Sequence, residues 1–399
     1  MAHSLQLSAL ALATLVVACG ESTSSRQGDQ FGQPSTPPST SFDQNQMLES
    51  MTDNVILPTF SEFANLTQTL DNSIGSYCSA LSGSYADALA QAQTDWQATM
   101  TVWQMAELMQ IGPLLENDGS LRNKIYSWPN VSTCAVDQDI VLAEQPGYDV
   151  AARTSTRKGL DALEYLLFNN NLDHTCTVFG TEPEGWNSRT EDDRRIARCE
   201  FAQLLSEDLN ANASELLAAW QGTNGYAAIL KNAGSAGSPF ADVHEAVNDV
   251  SDSLFYTDKQ TKDAKLATPV GLFANDCGLS PCAQNTESQF AFHSFENIAA
   301  NLEALLQLYM GGEDGDIGFK DYLLDVGDSE TAERMQAEIE EALAMTKAMD
   351  RNLKQLLEDD PEQVEQLHAE IKDVTDIMKN DFIQSLALEL PATSAGDND

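Results

Sequence analysis

Apolar side chains recur along most of this chain at intervals of three and four residues, the spacing that places them on one face of an α-helix. The last long run shows the pattern most plainly. Asp360 and Pro361 are typical of the first positions of a helix, and the run that follows carries Val364, Leu367, Ile371, Val374, Met378 and Phe382. The alternation that indicates a β-strand is nearly absent. The sequence therefore predicts an all-α protein.

The periodic segments fall into two groups that a glycine-containing break separates. The first group covers about residues 45–80, 84–111, 157–169 and 189–221. The second covers 238–266, 287–311, a helix that opens near Ser329 and carries Met335, Ile339, Leu343 and Leu353, and the final helix. The break reads Gly222-Thr223-Asn224-Gly225. We expect two similar four-helix bundle domains packed side by side, covering residues 45–225 and 226–399.

The first residues are typical of an exported protein. Residues 1–18 contain an apolar run from Leu5 to Ala18 that is too short to cross a bilayer and has the length of a signal-peptide core. The run ends Val16-Val17-Ala18-Cys19, which resembles the processing site of bacterial lipoproteins, so we expect a lipid on Cys19; an ordinary secretory signal is the alternative. Residues 19–44 are rich in Ser, Thr and Pro and predict a flexible tether. We expect an outer-membrane lipoprotein that faces the periplasm or the cell surface.

The charge balance is strongly acidic. The chain has 62 acidic and 21 basic residues, which gives a formal net charge of −41. Nucleic acid and anionic lipid surfaces are therefore poor partners. An acidic surface attracts cations, but adaptation to a saline environment explains it equally well, so the net charge alone does not indicate a metal site.

Six cysteines remain beyond Cys19, and an even number in an exported chain predicts disulfides. Six cysteines allow fifteen pairings, among which sequence alone does not choose. Cys277 and Cys282 bracket four residues and form the simplest pair. Cys176 and Cys199 flank a Gly/Pro-containing loop and form a second plausible pair. This leaves Cys78 to pair with Cys134. A thiolate zinc site is the alternative, but the chain has no Cys-x-x-Cys pair.

A glycine and two acidic residues open a leucine-rich run at residues 159–168. Asp161 and Glu164 share one face of the predicted helix, because residues three apart are neighbours on a helix. Burying an unpaired carboxylate costs several kcal/mol. The two acids should therefore keep to a solvated edge or meet a cation or a hydrogen-bond donor. An ion pair of Asp161 with Arg157 or Lys158 is the alternative to ligand binding.

These residues resemble the Gly-x-His-x-x-Glu motif of the imelysin-like proteins, with Gly159 and Glu164 matching and Asp161 in place of the histidine. Further segments resemble the same family, and together they cover nearly everything from about 45 to 399. They are Trp96 and Trp103, Gly112-Pro113, Ile125, Trp128-Pro129, Asp263-Ala264-Lys265-Leu266 with Pro269 and Gly271, Asn301, Leu305 and Tyr309, and the ending Gly396-Asp397-Asn398-Asp399. The resemblance implies two similar four-helix bundles, an association with bacterial iron uptake and a functional site between the bundles.

We expect Asp161 and Glu164 to face the junction of the two domains and to be the metal ligands of a polar site there. Glu107 and Arg122 lie on segments that could meet the motif helix, and Lys265 and Asn301 are implied by the resemblance alone. Carboxylate oxygens suit iron or another hard cation better than zinc. Trp96 and Trp103, seven residues apart on one face, fit a core position better than a ligand platform.

The sequence favours binding over catalysis. A zinc hydrolase needs about three protein ligands and an open position, yet the histidines beyond residue 18 form no His-Glu-x-x-His motif. His293 and Glu296 have the right spacing for two ligands, but a capping or exposed histidine near a helix start explains them better. We therefore expect a non-catalytic component of iron uptake, with iron-acquisition proteins as partners. A metallopeptidase of the imelysin type and an acidic structural or surface-interaction module are the alternatives.

Overall fold

The computed structural model describes residues 40–177 and 180–395, so the expected signal peptide and most of the expected tether lie outside the described residues. The described part belongs to one compact unit. It contains helices but no strands, and Asn275 and Gly278 form an isolated bridge. None of its helices is long and apolar enough to cross a membrane. The prediction of an all-α protein is confirmed.

The helices before residue 226 are α1 (Gln44–Met51), α2 (Leu57–Ala80), α3 (Ala86–Glu107), α4 (Glu116–Ile125), α5 (Thr133–Ala143), α6 (Leu160–Phe168) and α7 (Glu191–Trp220). The later helices are α8 (Tyr226–Lys231), α9 (Val243–Leu254), α10 (Thr268–Val270), α11 (Ser294–Met310), α12 (Phe319–Asp325), α13 (Ser329–Lys347), α14 (Leu353–Asp359), α15 (Pro361–Ile377) and α16 (Ile383–Leu386). The π-helical segments of the described chain are Thr52–Ile56, Thr257–Ala267 and Met378–Phe382.

The core of the first half forms where α2 packs against α3 and α7. The rings of Phe63 and Trp103 lie 5.1 Å apart, and those of Phe60 and Trp220 lie equally close. Trp96 and Trp103 are both fully buried, as expected for core residues. This packing fixes the position of α3, whose last turn reaches the candidate site.

The two halves of the chain share an extensive contact. In the second half α11 packs against α13, and α15 packs against both α13 and the π-helical segment 257–267. Helix α3 packs on α11, and α1 packs on α8 and α9, so elements of the first half lie against the second at two places. The expected division into bundles at residues 225 and 226 stays a prediction.

Several predicted helices end earlier than their apolar pattern suggests, and the structure contains short helices that the pattern did not indicate, such as α4 and α5. The helix that begins at Ser329 ends at Lys347, so the expectation that it includes Leu353 is wrong. Leu353 opens α14 because the side chain of Asn352 accepts a hydrogen bond from the backbone N–H of Gln355 at 3.0 Å and so caps a new helix.

The six cysteines beyond Cys19 form the disulfides Cys78–Cys199, Cys134–Cys176 and Cys277–Cys282. The structure confirms the last pair and contradicts the two other expected pairings. Cys78 lies near the end of α2 and Cys199 near the start of α7, and these helices pack against each other, which leaves their Cα atoms 5.5 Å apart. Cys134, at the start of α5, then pairs with Cys176.

Candidate functional site

Helix α6 is buried on almost every side and begins against the end of α4. Every residue from Leu160 to Leu167 is buried. Gly159, which precedes the helix, has a φ of +86°, and a Cβ there would lie 2.5 Å from the carbonyl oxygen of Ile125. Only glycine fits such a conformation and such a close approach. The glycine therefore allows α6 to begin in the protein interior, where Asp161 and Glu164 are buried.

Asp161 is buried and held by Ser127. Its side chain is 4% exposed, and its Oδ2 accepts hydrogen bonds from the Ser127 backbone N–H at 3.1 Å and from the Ser127 hydroxyl at 2.9 Å. Its Oδ1 has no hydrogen-bond partner among the described residues.

The alternative in which Asp161 pairs with Arg157 or Lys158 is wrong. Arg157 binds Asp139 at 2.7 Å, and Lys158 binds Asp208 at 3.0 Å. Spacings of three and four bring side chains together only within a helix, and α6 starts after both basic residues. The break at the glycine therefore turns them toward other carboxylates.

Glu164 is held by the second half of the chain. It is 6% exposed, and its Oε1 accepts hydrogen bonds from the backbone N–H groups of Phe290 at 2.8 Å and Ala291 at 2.9 Å. These two residues precede α11, whereas Glu164 belongs to α6. The motif helix of the first half therefore contacts polar backbone of the second half.

Lys265 lies in a second polar cluster, where α3 meets the π-helical segment 257–267 and α11. Its fully buried ammonium donates to Asn301 Oδ1 at 2.8 Å and to Gln104 Oε1, and it lies 3.2 Å from Glu287 Oε1 and 3.9 Å from Glu107 Oε2. Asn301 Nδ2 in turn donates to the Gln104 carbonyl at 2.8 Å. Three of the predicted site residues, Glu107, Lys265 and Asn301, thus come together.

Glu287 is a site residue that the sequence analysis missed. Its fully buried Oε1 accepts hydrogen bonds from the Tyr126 hydroxyl at 2.8 Å and from Gln104 Nε2 at 3.2 Å. One signal could have found it, because Glu287 is the sole acidic or basic residue between Cys277 and His293.

We call Glu107, Asp161, Glu164 and Glu287 the carboxylate site. Burial raises the pKa of Glu107 to about 7 although Lys265 opposes the shift, and burial raises the pKa of Asp161 to about 7 against the Ser127 hydrogen bonds. Burial raises the pKa of Glu164 to about 8, although the Ala291 and Phe290 N–H groups oppose the shift. The negative charges of Asp161 and Glu287 add to the rise at Glu164. Burial therefore favours the protonated forms of Glu107, Asp161 and Glu164 near neutral pH, because their surroundings only partly stabilise the charged forms.

Arg122 lies at the edge of the carboxylate site. Its Nη1 donates to Gln110 Oε1 at 2.7 Å, and its charge lowers the pKa of Glu107 slightly. His293 occupies the N-cap position of α11, one of the two expected placements; it is buried, and its side chain makes no capping hydrogen bond. Its Nε2 lies 3.0 Å from the Thr101 hydroxyl, and burial lowers its pKa.

The donor chemistry of the carboxylate site fits a hard cation. Glu107 Oε2, Asp161 Oδ1 and Glu287 Oε2 are buried oxygens without a hydrogen-bond partner among the described residues. No three ligand oxygens of this site come within 4.8 Å of one another, whereas surface carboxylates on α13 and α15, Glu338, Glu341 and Glu370, do. The spacing of the carboxylate site therefore suits a hydrated or chelated ion better than a bare one.

A sequence profile described as imelysin matches residues 56–379, most of the chain. The chain belongs to the imelysin family. The iron-regulated protein A of Synechococcus elongatus is 25% identical to this imelysin-family protein over 249 residues, which are 61% of this chain and 60% of that relative. The match thus spans less than two thirds of the relative.

Two solved structures share the fold of this imelysin-family protein. One is described as an iron-regulated protein A precursor from Parabacteroides distasonis, with a TM-score of 0.67, 18% identity and coverage of 86% of this chain and 95% of that one. The other is an imelysin-like protein from Psychrobacter arcticum, with a TM-score of 0.67, 16% identity and coverage of 88% and 99%. At these identities the likeness concerns the fold alone.

Proposed function

We propose that this imelysin-family protein is a non-catalytic binding component of bacterial iron uptake and that the carboxylate site binds a hydrated or chelated iron species. The name of the Synechococcus relative, iron-regulated protein A, supports a link to iron. The protein would be exported and held at the outer membrane by a lipid on Cys19, with iron-acquisition proteins as its partners. The disulfides support an oxidising compartment.

One observation carries the proposal: four carboxylates are buried together and three of their oxygens have no hydrogen-bond partner among the described residues. An incompletely paired buried charge costs several kcal/mol, and Lys265, which lies near Glu287 and Glu107, offsets only part of this cost. A cation at this place would favour the ionised forms of these carboxyl groups and ligate the oxygens that lack a hydrogen-bond partner. Oxygen donors favour hard ions such as iron(III) over zinc.

The test is calorimetric titration of the full chain with iron(III) citrate, followed by metal analysis of the dialysed protein. The parent is expected to bind iron, and Asp161→Asn combined with Glu164→Gln is expected to weaken binding at least tenfold, about 1.4 kcal/mol. Glu338→Gln with Glu341→Gln is the matched control, because it removes the same charge from the surface cluster and leaves the carboxylate site intact. Circular dichroism checks that each variant is folded.

Equal iron binding by the parent and the Asp161→Asn, Glu164→Gln variant would refute the site assignment. Loss of binding in the surface control instead would move the site to α13 and α15. Tight zinc binding with peptide cleavage would establish the metallopeptidase alternative. The position of His293 does not favour that alternative, because its Nε2 lies 3.0 Å from the Thr101 hydroxyl and its Nδ1 lies 3.8 Å from Glu296, which is outside the carboxylate site.

A further inference from the structure

Residues 271–292, which connect α10 to α11 and which we call the apolar loop, expose a group of large apolar side chains. Leu272, Phe273, Leu279 and Phe292 are exposed, and Leu279 is 74% exposed. In the rest of the described chain the comparably exposed large apolar residues are scattered along the sequence: Leu115, Leu142, Ile196 and Leu324. Single exposed apolar residues are ordinary, whereas a group of them marks a binding surface.

The loop holds these side chains outward in a fixed conformation. A disulfide joins Cys277 to Cys282. The Asn275 side chain donates to the carbonyl oxygens of Thr268 at 2.7 Å and Ser280 at 2.9 Å, which ties the loop to α10 and folds it back on itself. The apolar side chains are therefore presented by a cross-linked and hydrogen-bonded backbone, which lowers the entropy cost of binding a partner.

The apolar loop continues directly into the carboxylate site. Phe290 and Ala291 donate their N–H groups to Glu164, and the next residue, Phe292, has a φ of +56° and donates its N–H to the Ser288 carbonyl at 2.8 Å. A positive φ is strained for a bulky aromatic residue. Residues 290–292 therefore bind α6 through Glu164 and also place the Phe292 ring at the surface.

The charges around the loop are mostly acidic. The loop carries a single exposed charged residue, Asp276. Helix α14 packs against the turn at 283–285 and presents the exposed residues Glu358 and Asp359 beside one exposed lysine, Lys354. The exposed apolar side chains of the loop thus have next to them, as a rim, charges that are negative in sum even when Arg351, which lies 3.9 Å from Asp359, is counted.

We propose that the apolar loop is the docking surface for a partner protein whose matching face is apolar at its centre and basic at its rim. A net charge of −41 disfavours a second copy of this chain and an anionic lipid surface, since both would place like charges together. A face with Lys or Arg around an apolar centre complements both the rim and the centre. The partner would bind beside the carboxylate site, although docking does not depend on what that site binds.

The test replaces Leu279 with a photo-cross-linking amino acid in the full chain, within cells that naturally produce it. Ile196, an apolar residue on α7 that is 43% exposed against 74% for Leu279, is the control position. We expect Leu279, but not Ile196, to yield an adduct with one envelope protein that mass spectrometry then identifies. The purified partner should bind the parent at least about tenfold more tightly than a Phe273→Ser, Leu279→Ser variant. Added salt should weaken this binding.

Both substituted side chains are exposed, so the variant is expected to fold, and circular dichroism checks this. The adduct should persist in the Asp161→Asn, Glu164→Gln variant, which separates docking from iron binding. The proposal is wrong if no adduct forms, if the adduct joins two copies of this chain or a lipid, or if the purified protein binds the Phe273→Ser, Leu279→Ser variant as tightly as the parent.

Discussion

At the scale of the residue, the carboxylate site is defined by carboxyl groups whose burial is only partly compensated. Ser127 stabilises one oxygen of Asp161, and two backbone N–H groups stabilise one oxygen of Glu164. The remaining cost appears as raised pKa values of about 7 for Asp161 and Glu107 and about 8 for Glu164. A cation in the site would lower these pKa values, because it favours the charged form of each group.

The raised pKa values predict how stability depends on pH in the absence of added cations. The folded protein holds protons on these carboxyls up to about pH 7 or 8, whereas the unfolded chain releases them near the ordinary values of 3.8 and 4.5. The folded state therefore binds more protons across this window, and the free energy of unfolding should fall as pH rises from about 5 to about 8.

Urea unfolding across that pH range measures this effect. In the Asp161→Asn, Glu164→Gln variant the free energy of unfolding should fall less over this pH range than in the parent, by on the order of 1 kcal/mol or more. The reason is that the variant has no proton to release at either position. The other titrating groups remain in both proteins and cancel in the comparison. A parent and a variant with the same pH slope would show that the two carboxyls titrate normally.

At the scale of the element, the position of α6 depends on the glycine before it. Gly159→Ala should lower the free energy of unfolding by about 2 kcal/mol or more, because alanine is strained at this φ and its Cβ would meet the Ile125 carbonyl. Gly147→Ala is the matched control, since Gly147 has a φ of +85° with nothing within 4 Å of the added Cβ. The prediction fails if both alanine variants lose the same stability in urea unfolding.

The helices were easier to predict than the site because a helix depends on local spacing and the site on distant contacts. The apolar pattern located α6, α7 and α15, and the Asp161–Glu164 spacing identified their shared face. Glu287 and Ser127 escaped prediction because each meets its partners only after segments far apart in sequence pack together. The alternative that pairs Asp161 with Arg157 or Lys158 is wrong because the pattern did not show where α6 begins.

At the scale of the whole molecule, two disulfides cross-link the first half. They should stabilise the fold by a different amount from the disulfide within the apolar loop. The Cys78–Cys199 bond closes a stretch of 121 residues, and the Cys277–Cys282 bond closes one of 5. A longer closed loop removes more entropy from the unfolded chain. The pairings had escaped prediction because they follow from which helices become neighbours.

Removing the long-range bond with Cys78→Ser and Cys199→Ser should therefore lower the free energy of unfolding by about 3 to 5 kcal/mol. The matched control, Cys277→Ser with Cys282→Ser, should lower it by less. Chemical unfolding of the parent and both variants under oxidising conditions makes the comparison. Equal losses in the two variants would contradict the loop-length argument.

The halves of the molecule meet where α3 packs on α11, and the carboxylate site draws Glu107, Asp161 and Glu164 from one half and Glu287 from the other. The most direct test of iron binding at this junction is a crystal of the full chain grown with iron(III) citrate and measured at the iron absorption edge. An anomalous peak next to the unpaired oxygens of Glu107, Asp161 and Glu287 is the predicted result. A peak confined to Glu338, Glu341 and Glu370, or no peak in a protein saturated with iron, would contradict it.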